Sequence, residues 1–296
     1  MWPPCNVSEK QGGHIGPPLH QEWGVFLETM ANKKSKLFAL REPMPRTTVT
    51  VVGLLAPLLV AVVWCALTYG GFVRPDFLPS PTEVLRGTLQ LFLQYDLWGA
   101  ILISTRRIVL AFLLASAVAL PLGVLMGAFE PINVFFEPIM APLRYMPISA
   151  FISILILWFG IEEKEKIAFL FLGVFVYLLP VVVTAIRLVP EELVQTSLTL
   201  GASRWQVIRT VLLPAALPEI FDSFRVMNAI AWTYVILAES VNAGGGLGYM
   251  VDLAYRHQKA SWSFAGLLVI GGIGLLTDFV IRTLSAVLFR WREATA

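Results

Sequence analysis

Long apolar runs without charges alternate with short polar breaks along most of this chain. The first run is 49–69, 21 positions with no charged residue. At ~1.5 Å per residue such a helix crosses a ~30 Å hydrocarbon core, and Pro57 is placed to kink it. A second run covers 108–128, with Arg106 and Arg107 at its entrance. A third covers 145–161, after an irregular stretch containing Pro131, Pro138 and Pro142. A fourth covers 167–186, separated from the third only by the polar turn 162–166. The fifth is the weakest, with 13 uncharged residues at 226–238 between Arg225 and Glu239. It spans only if the helix starts upstream, near Leu217, and takes in Asp222. The sixth run, 263–289, contains Asp278 and Arg282 at i, i+4, where they can neutralise each other. Ahead of the second run, Ser80-Pro81-Thr82-Glu83 has the form of a capping box with Pro at the first helical position. Val84, Leu85, Leu89 and Leu93 then predict a short amphipathic helix at a membrane surface.

Composition agrees with an all-α integral membrane protein. Hydrophobic residues make up 57% of the 296 residues, charged residues only 14%, and mean hydropathy is +0.73. Soluble domains carry about 25% charged residues, so a soluble enzyme is excluded. The net charge of +2 speaks against a nucleic-acid partner. Cys5 and Cys65 do not make a disulfide framework, and His14, His20 and His257 are too scattered to build a metal site. Residues 1–48 read as a polar tail in which no secretory signal is expected, and 23–30 as a short surface helix. Residues 49–292 form the transmembrane domain. Lys and Arg favour the side holding the tail, Arg144, Arg187, Arg204, Arg209, Arg225, Arg290 and Arg292. Six spans with both termini in the cytoplasm follow from that bias.

The segment between the fourth and fifth runs is more elaborate than a membrane connection requires. Pro190-Glu191-Glu192 opens a helix, Leu200-Gly201 closes it, and Ser203 with Gln206 opens another as a capping box. Pro214 is expected to bend or break that second helix. The result is a helix, a glycine corner and a helix, projecting from the membrane.

These residues resemble the cytoplasmic signature of binding-protein-dependent ABC importer permeases: Glu-Ala-Ala, three residues, Gly, nine residues, an aliphatic, one residue, Leu-Pro. Gly201, Val211 and Leu213-Pro214 stand in that register, and Gln195-Thr196-Ser197 replaces Glu-Ala-Ala. The runs FLPSPTEVL, PLGVLMG, ILWFGI, AWTYVILAE and GGGLGYM are similar to permeases for nitrate, bicarbonate, sulfonates and taurine, and GGIGLLTDFVIR is most like the nitrate and bicarbonate members. The resemblance implies a bacterial inner-membrane protein with the six-helix fold of type I ABC importer permeases. Its cytoplasmic coupling helix would lie between spans four and five, with Gln195, Thr196, Ser197, Leu200, Gly201 and Ala202 at the ATPase contact. Implied partners are ABC ATPase subunits, a substrate-binding protein, a second permease copy and membrane lipid. This chain would bind no cofactor and catalyse no reaction, ATP and Mg being used by the ATPase. The expected cargo is a small oxyanion such as nitrate or bicarbonate, or alternatively an organosulfonate.

Polar groups inside span five make Asn228, Trp232 and Thr233 candidates for the translocation path, and Met146 and Pro147, opening span three, a second wall. Glu239 has two readings: a gating acid, or a structural acid bonded to amides of the glycine turn at 244–248. That turn lacks the Lys-Ser/Thr of a phosphate-binding loop, so nucleotide belongs to another chain. Two rivals fare worse. A serine protease built on Ser203 would need His257, which is expected on the opposite side of the membrane. A secondary transporter needs broken helices or midplane charges, whereas the charges here cluster near span ends.

Overall fold

The computed structural model describes residues 46–241 and 244–290; the surface helix expected at 23–30 lies outside the described residues. All regular structure among the described residues is helical. The chain divides into two compact units, 1–63 and 64–296. The described part of the first is the beginning of α1 (Arg46–Tyr69), which runs through Pro57 without interruption.

The second unit is organised around α3 (Leu97–Ala128) and α6 (Glu163–Arg187). The sequence of α3 explains why they pair so closely. Ala111, Ala115, Ala119, Gly123 and Gly127 repeat every fourth position, so one face carries no bulk. A Cβ at Gly123 would lie 2.7 Å from the Cβ of Val182, and one at Gly127 would lie 2.7 Å from the Cβ of Ile186. Phe169, Leu170, Val174, Val176, Leu178 and Val182 of α6 are fully buried. A soluble-protein core is thus reproduced in the middle of the bundle.

Helix α3 starts well before the predicted 108, because Asp96, in a left-handed conformation, caps it by accepting from Gly99 N at 3.1 Å. Arg106 and Arg107 therefore lie inside the helix rather than at its entrance. Helix α2 (Pro81–Gln94) has the predicted capping box, Ser80 accepting from Glu83 N and Glu83 accepting from Ser80 N. It buries Val84, Gly87 and Leu91, while Leu85, Leu89 and Leu93 of the expected apolar face are exposed.

The third predicted span is not a single straight helix. The proline-containing stretch is a regular helix, α4 (Glu130–Tyr145), and the break comes after it, at Met146 and Pro147. Pro131, Pro138 and Pro142 fall at i, i+7 and i+11, on one exposed helix face. Pro131 lies in the first turn, where a missing N–H removes no helix bond, so only Pro138 and Pro142 interrupt the ladder, both on that face. A 3-10 turn (Ile148–Ala150) leads into α5 (Phe151–Phe159), nine residues reaching only about 14 Å. The two pieces meet at 89°. Helix α6 then begins at Glu163, so most of the expected polar turn is helical, and Glu165 and Lys166 are 1% exposed. Among the described residues, neither carboxylate oxygen of Glu165 has a hydrogen-bond partner.

After α7 (Glu191–Thr199), the four-residue α8 (Arg204–Val207) passes through a π turn (Ile208–Leu212) into α9 (Leu213–Ser240). The expected break at Pro214 does not occur. A π turn is wider than an α turn, which relieves the clash between the proline ring and the carbonyl of Thr210. Helix α9 takes in Asp222, as the extended reading of span five requires. Helices α10 (Leu247–Arg256) and α11 (Ala260–Leu288) complete the unit. Among the described residues, four helices are long and apolar enough to cross a membrane, namely Thr47–Tyr69, Leu97–Ala128, Glu163–Arg187 and Ala260–Leu288; the bent pair α4 and α5 makes a fifth if it is one span.

Candidate functional site

The glycine corner has the hydrogen bonds of a Schellman cap. Leu200 is the last right-handed residue, Gly201 sits at φ +89°, Gly201 N donates to Leu198 O at 3.0 Å, and Ala202 N donates to Ser197 O at 3.0 Å. Ser203 then caps α8, accepting from Gln206 N at 3.4 Å while its own N–H donates to Gln206 Oε1 at 2.7 Å. Thr196, Ser197 and Thr199 donate their hydroxyls to carbonyls one turn back, and Gln195 donates to Glu191. Backbone and side-chain polar groups are thus satisfied locally.

No residue of α7 is fully buried. Val194 and Ala202 pack against the core, which fixes the inner face of the knob. Leu200 is 83% exposed beside exposed Gln195, Thr196 and Gly201. A Cβ built on Gly201 meets nothing within 4 Å. The corner's need for glycine in this chain is therefore conformational, and the surface around it is uncovered.

Asn228, Trp232 and Thr233 lie together along a groove of about 440 Å3 between α9 and α11. The centre of this group is Thr277, whose hydroxyl accepts from Asn228 Nδ2 at 2.9 Å and from Trp232 Nε1 at 3.1 Å. Thr277 donates in turn to Ile273 or Gly274 carbonyls. Thr233 is exposed and donates to Ala229 O at 3.0 Å. At one end of the groove Arg225 donates to both carboxylate oxygens of Asp278, at 2.8 and 3.2 Å. Asp278 is therefore tied mainly across to α9, and its predicted partner Arg282 is the weaker contact, at 3.4 Å.

Glu239 is not in that groove. It is fully buried, accepting from Ser104 Oγ at 2.8 Å, Arg107 Nη1 at 2.7 Å and Gly248 N at 2.8 Å. The glycine-turn amide is one of its partners, as the structural reading supposed. Arg107, also fully buried, occupies all of its donors. Its Nε donates to Glu163 at 2.9 Å, Nη1 to Glu239 and Gly245 O, and Nη2 to Glu163 and Gly244 O. One guanidinium therefore joins α3, the start of α6, the end of α9 and the glycine turn. Gly246 at φ +112° lies so close to the Glu239 carboxylate that a Cβ there would approach to 2.4 Å.

Met146 and Pro147 stand at the bend between α4 and α5, both exposed, in neither cluster. Sequence reasoning missed Ser104, Arg107, Glu163 and Thr277. The available signal was a pair of arginines directly joined to an apolar run, since such a charge is either an interface anchor or a buried, bonded group.

Comparison with known proteins gives a consistent result. Residues 119–292 match the family described as binding-protein-dependent transport system inner membrane component. Over 272 residues the chain is 31% identical to the taurine transport system permease protein of Escherichia coli (strain K12), covering 90% of this chain and 98% of that protein. It is 30% identical over 237 residues to the nitrate import permease protein of Synechocystis sp. (strain ATCC 27184 / PCC 6803 / Kazusa), covering 76% and 84%. Among solved structures, inward facing conformations of the MetNI methionine ABC transporter superpose with a TM-score of 0.60 at 20% identity, covering 66% of this chain and 97% of that one. That likeness is one of fold.

Proposed function

The chain belongs to the family of binding-protein-dependent transport system inner membrane components, and from that premise we propose how it works as the membrane permease of an ABC importer. The chain crosses an inner membrane six times, counting α9 and the bent pair α4–α5 as one span each. Both termini and the α7 knob face the cytoplasm. Two copies form the path, ATPase subunits bind the knobs, and a binding protein delivers cargo at the opposite side. ATP binding closes the ATPase pair, the knobs follow, and the spans alternate between outward and inward access. The cargo is a small oxyanion, nitrate and taurine being named for the two relatives above.

The observation that carries this reading is the corner at Gly201. Its hydrogen bonds are closed within the knob, its packing face is turned to the core, and its other face, with Leu200 and Gln195, is bare. A self-sufficient projection of this kind is built to be held by another protein. Because Gln195-Thr196-Ser197 stands where the signature has Glu-Ala-Ala, the contact is expected to rest on Gly201 and the apolar Leu200.

The test is a complex reconstituted with its ATPase and binding protein. Gly201→Asn keeps a residue that tolerates the left-handed conformation, and is expected to preserve folding and insertion. Gly201→Asp adds a charge at the corner, and is expected to leave the permease folded while abolishing cargo-stimulated ATP hydrolysis and transport. Full stimulation in the Asp variant, with normal assembly, would refute the coupling role.

A further inference from the structure

The junction of α3, α6, α9 and the glycine turn also buries an acid that takes no part in its bonding. Glu165, in the first turn of α6, is 1% exposed, and among the described residues neither of its carboxylate oxygens has a hydrogen-bond partner. Buried polar groups are nearly always bonded, so an exception has a physical cause. The cations that act on Glu165 through space are Lys166, beside it on α6, and Arg107 of α3. Glu163 of α6 and Glu239 of α9 act on Lys166 in the same way. Arg106 touches only the edge of the cluster, 3.9 Å from Glu163 and largely in solvent.

Neither inner cation serves Glu165. A guanidinium has five N–H groups, and Arg107 places all of them on Glu163, Glu239, Gly244 and Gly245. Lys166 is as buried as Glu165 and turns to the glycine turn, where a Cβ on Gly244 would lie 2.5 Å from its Nζ. Among the described residues, the ion pairs of this region are Arg106–Glu163, Arg107–Glu163 and Arg107–Glu239, and none includes Glu165. Counted as ionised, the interior of the cluster holds two cations, Arg107 and Lys166, against three anions, Glu163, Glu165 and Glu239. One proton restores the balance. Glu163 and Glu239 accept charge-assisted bonds, which favour their ionised forms. Glu165 accepts none, and an ionised carboxylate without water or donors is far costlier to bury than the neutral acid.

We infer that Glu165 is held as the neutral acid in the assembled junction, which makes the junction a proton-dependent lock. Loss of that proton leaves a buried anion with no donor, and the strain is relieved only when the ends of α3, α6 and α9 part enough to let water reach it. The released junction therefore binds one proton fewer than the assembled one. By linkage, acid favours the assembled form, and rising pH favours the released form, by up to about tenfold in their ratio per pH unit. The glycine turn is the part set free. Arg107 holds the carbonyls of Gly244 and Gly245, Ser104 accepts from Leu247 N at 2.9 Å, and Glu239 accepts from Gly248 N at 2.8 Å. On the permease reading this turn faces outward, so the lock answers to external pH.

Amide hydrogen exchange of the full-length chain in nanodiscs tests this through the peptide carrying the amides of Leu247 and Gly248. It is measured at about pH 6 and about pH 9, between the ordinary ranges of glutamate and lysine. Glu165→Gln keeps the shape of the neutral acid and cannot ionise. At the lower pH the variant and the wild type should exchange alike. At the higher pH the wild type should exchange about tenfold faster than the variant, or more. Comparing the two chains at the same pH cancels the intrinsic effect of hydroxide on exchange. The expected result is a gain of protection in the variant, which a misfolded chain cannot mimic. Glu165→Leu, apolar and close in size, should show the same gain. Wild-type exchange in both variants at the higher pH overturns the inference and moves any titration to Lys166. Loss of protection in both at the lower pH also overturns it, because an ionised Glu165 would then be supporting the junction. Infrared absorption of the wild type supplies a separate reading: a neutral-carboxyl band should be present at the lower pH, vanish at the higher, and be missing from Glu165→Leu. Its absence from the wild type at the lower pH refutes the neutral acid. None of these readouts uses an ATPase or a cargo, so their failure leaves the permease reading untouched.

Discussion

Arg107 shows how a single side chain can replace a loop's worth of packing. Its planar fork of five donors reaches two carboxylates and two carbonyls at once. A lysine, with three donors on a compact head, cannot reproduce that geometry. Arg107→Leu leaves Glu239 buried without its cation and is expected to cost about 3–5 kcal/mol. Arg107→Lys should fall between the variant and wild type. Thermal unfolding followed in detergent checks both, and a wild-type midpoint for Arg107→Leu would contradict the assignment. Part of this cluster was accessible from sequence. Glu239 beside the glycine turn suggested a carboxylate bonded to loop amides. The cation was not accessible, because Arg107 adjoins Arg106 at what reads as a span boundary, and only the early helix start at Leu97 carries it inside. Thr277 escaped for a related reason: its partners Asn228 and Trp232 lie on another helix, and no local pattern links them.

At the scale of elements, legibility followed locality. The caps of α2, α7 and α8 are set by residues within one turn of each other, and the sequence reading placed them correctly. The long uncharged runs of α1, α3, α6 and α11 were equally plain. What failed was continuity. Prolines in α4 suggested irregularity, yet their common face lets the helix persist, while the bend falls at a site with one proline. Pro214 suggested a break, yet a π turn carries the helix past it. The small-residue face of α3 is legible as a four-residue repeat once its partner is known. It yields a clear expectation: Gly123→Leu should prevent close approach to Val182, since a Cβ alone comes within 2.7 Å of it. Overpacking of this kind costs about 1–3 kcal/mol or more, so the variant should show reduced expression and a lowered unfolding midpoint. Gly271→Leu on α11, where a Cβ meets nothing within 4 Å, should be tolerated and serves as the control.

For the whole molecule, the class of protein was readable from composition alone, and the family from the knob. Arrangement in space was not, because charges at helix ends, read as solvent-facing, turn inward to one another here. Glu165 and Lys166 are the sharpest cases, expected in a solvent-exposed turn and found inside. The proposed orientation remains open to direct measurement. With Cys5 and Cys65 replaced by serine, a cysteine at position 203 should react with an impermeant thiol reagent only after the membrane is opened. A cysteine at 164 should react from outside in intact cells. The reverse pattern would invert the topology.

The knot around Arg107 has a mechanical corollary. It gathers α3, α6 and α9 at one end of the bundle, far along these helices from the α7 knob that follows α6. Three rods pinned at a common point can swing but not slide. A push delivered at the knob is then a torque about that pin, and the helices should sweep their widest arc at the opposite end. Spin labels at positions 110 and 167, near the pin, should keep their separation within one protomer through the ATP cycle. Labels at 198 in the two protomers of the assembled importer should shift by several ångströms. A change at the first pair as large as at the second would mean that the protomer deforms internally and the pivot lies elsewhere.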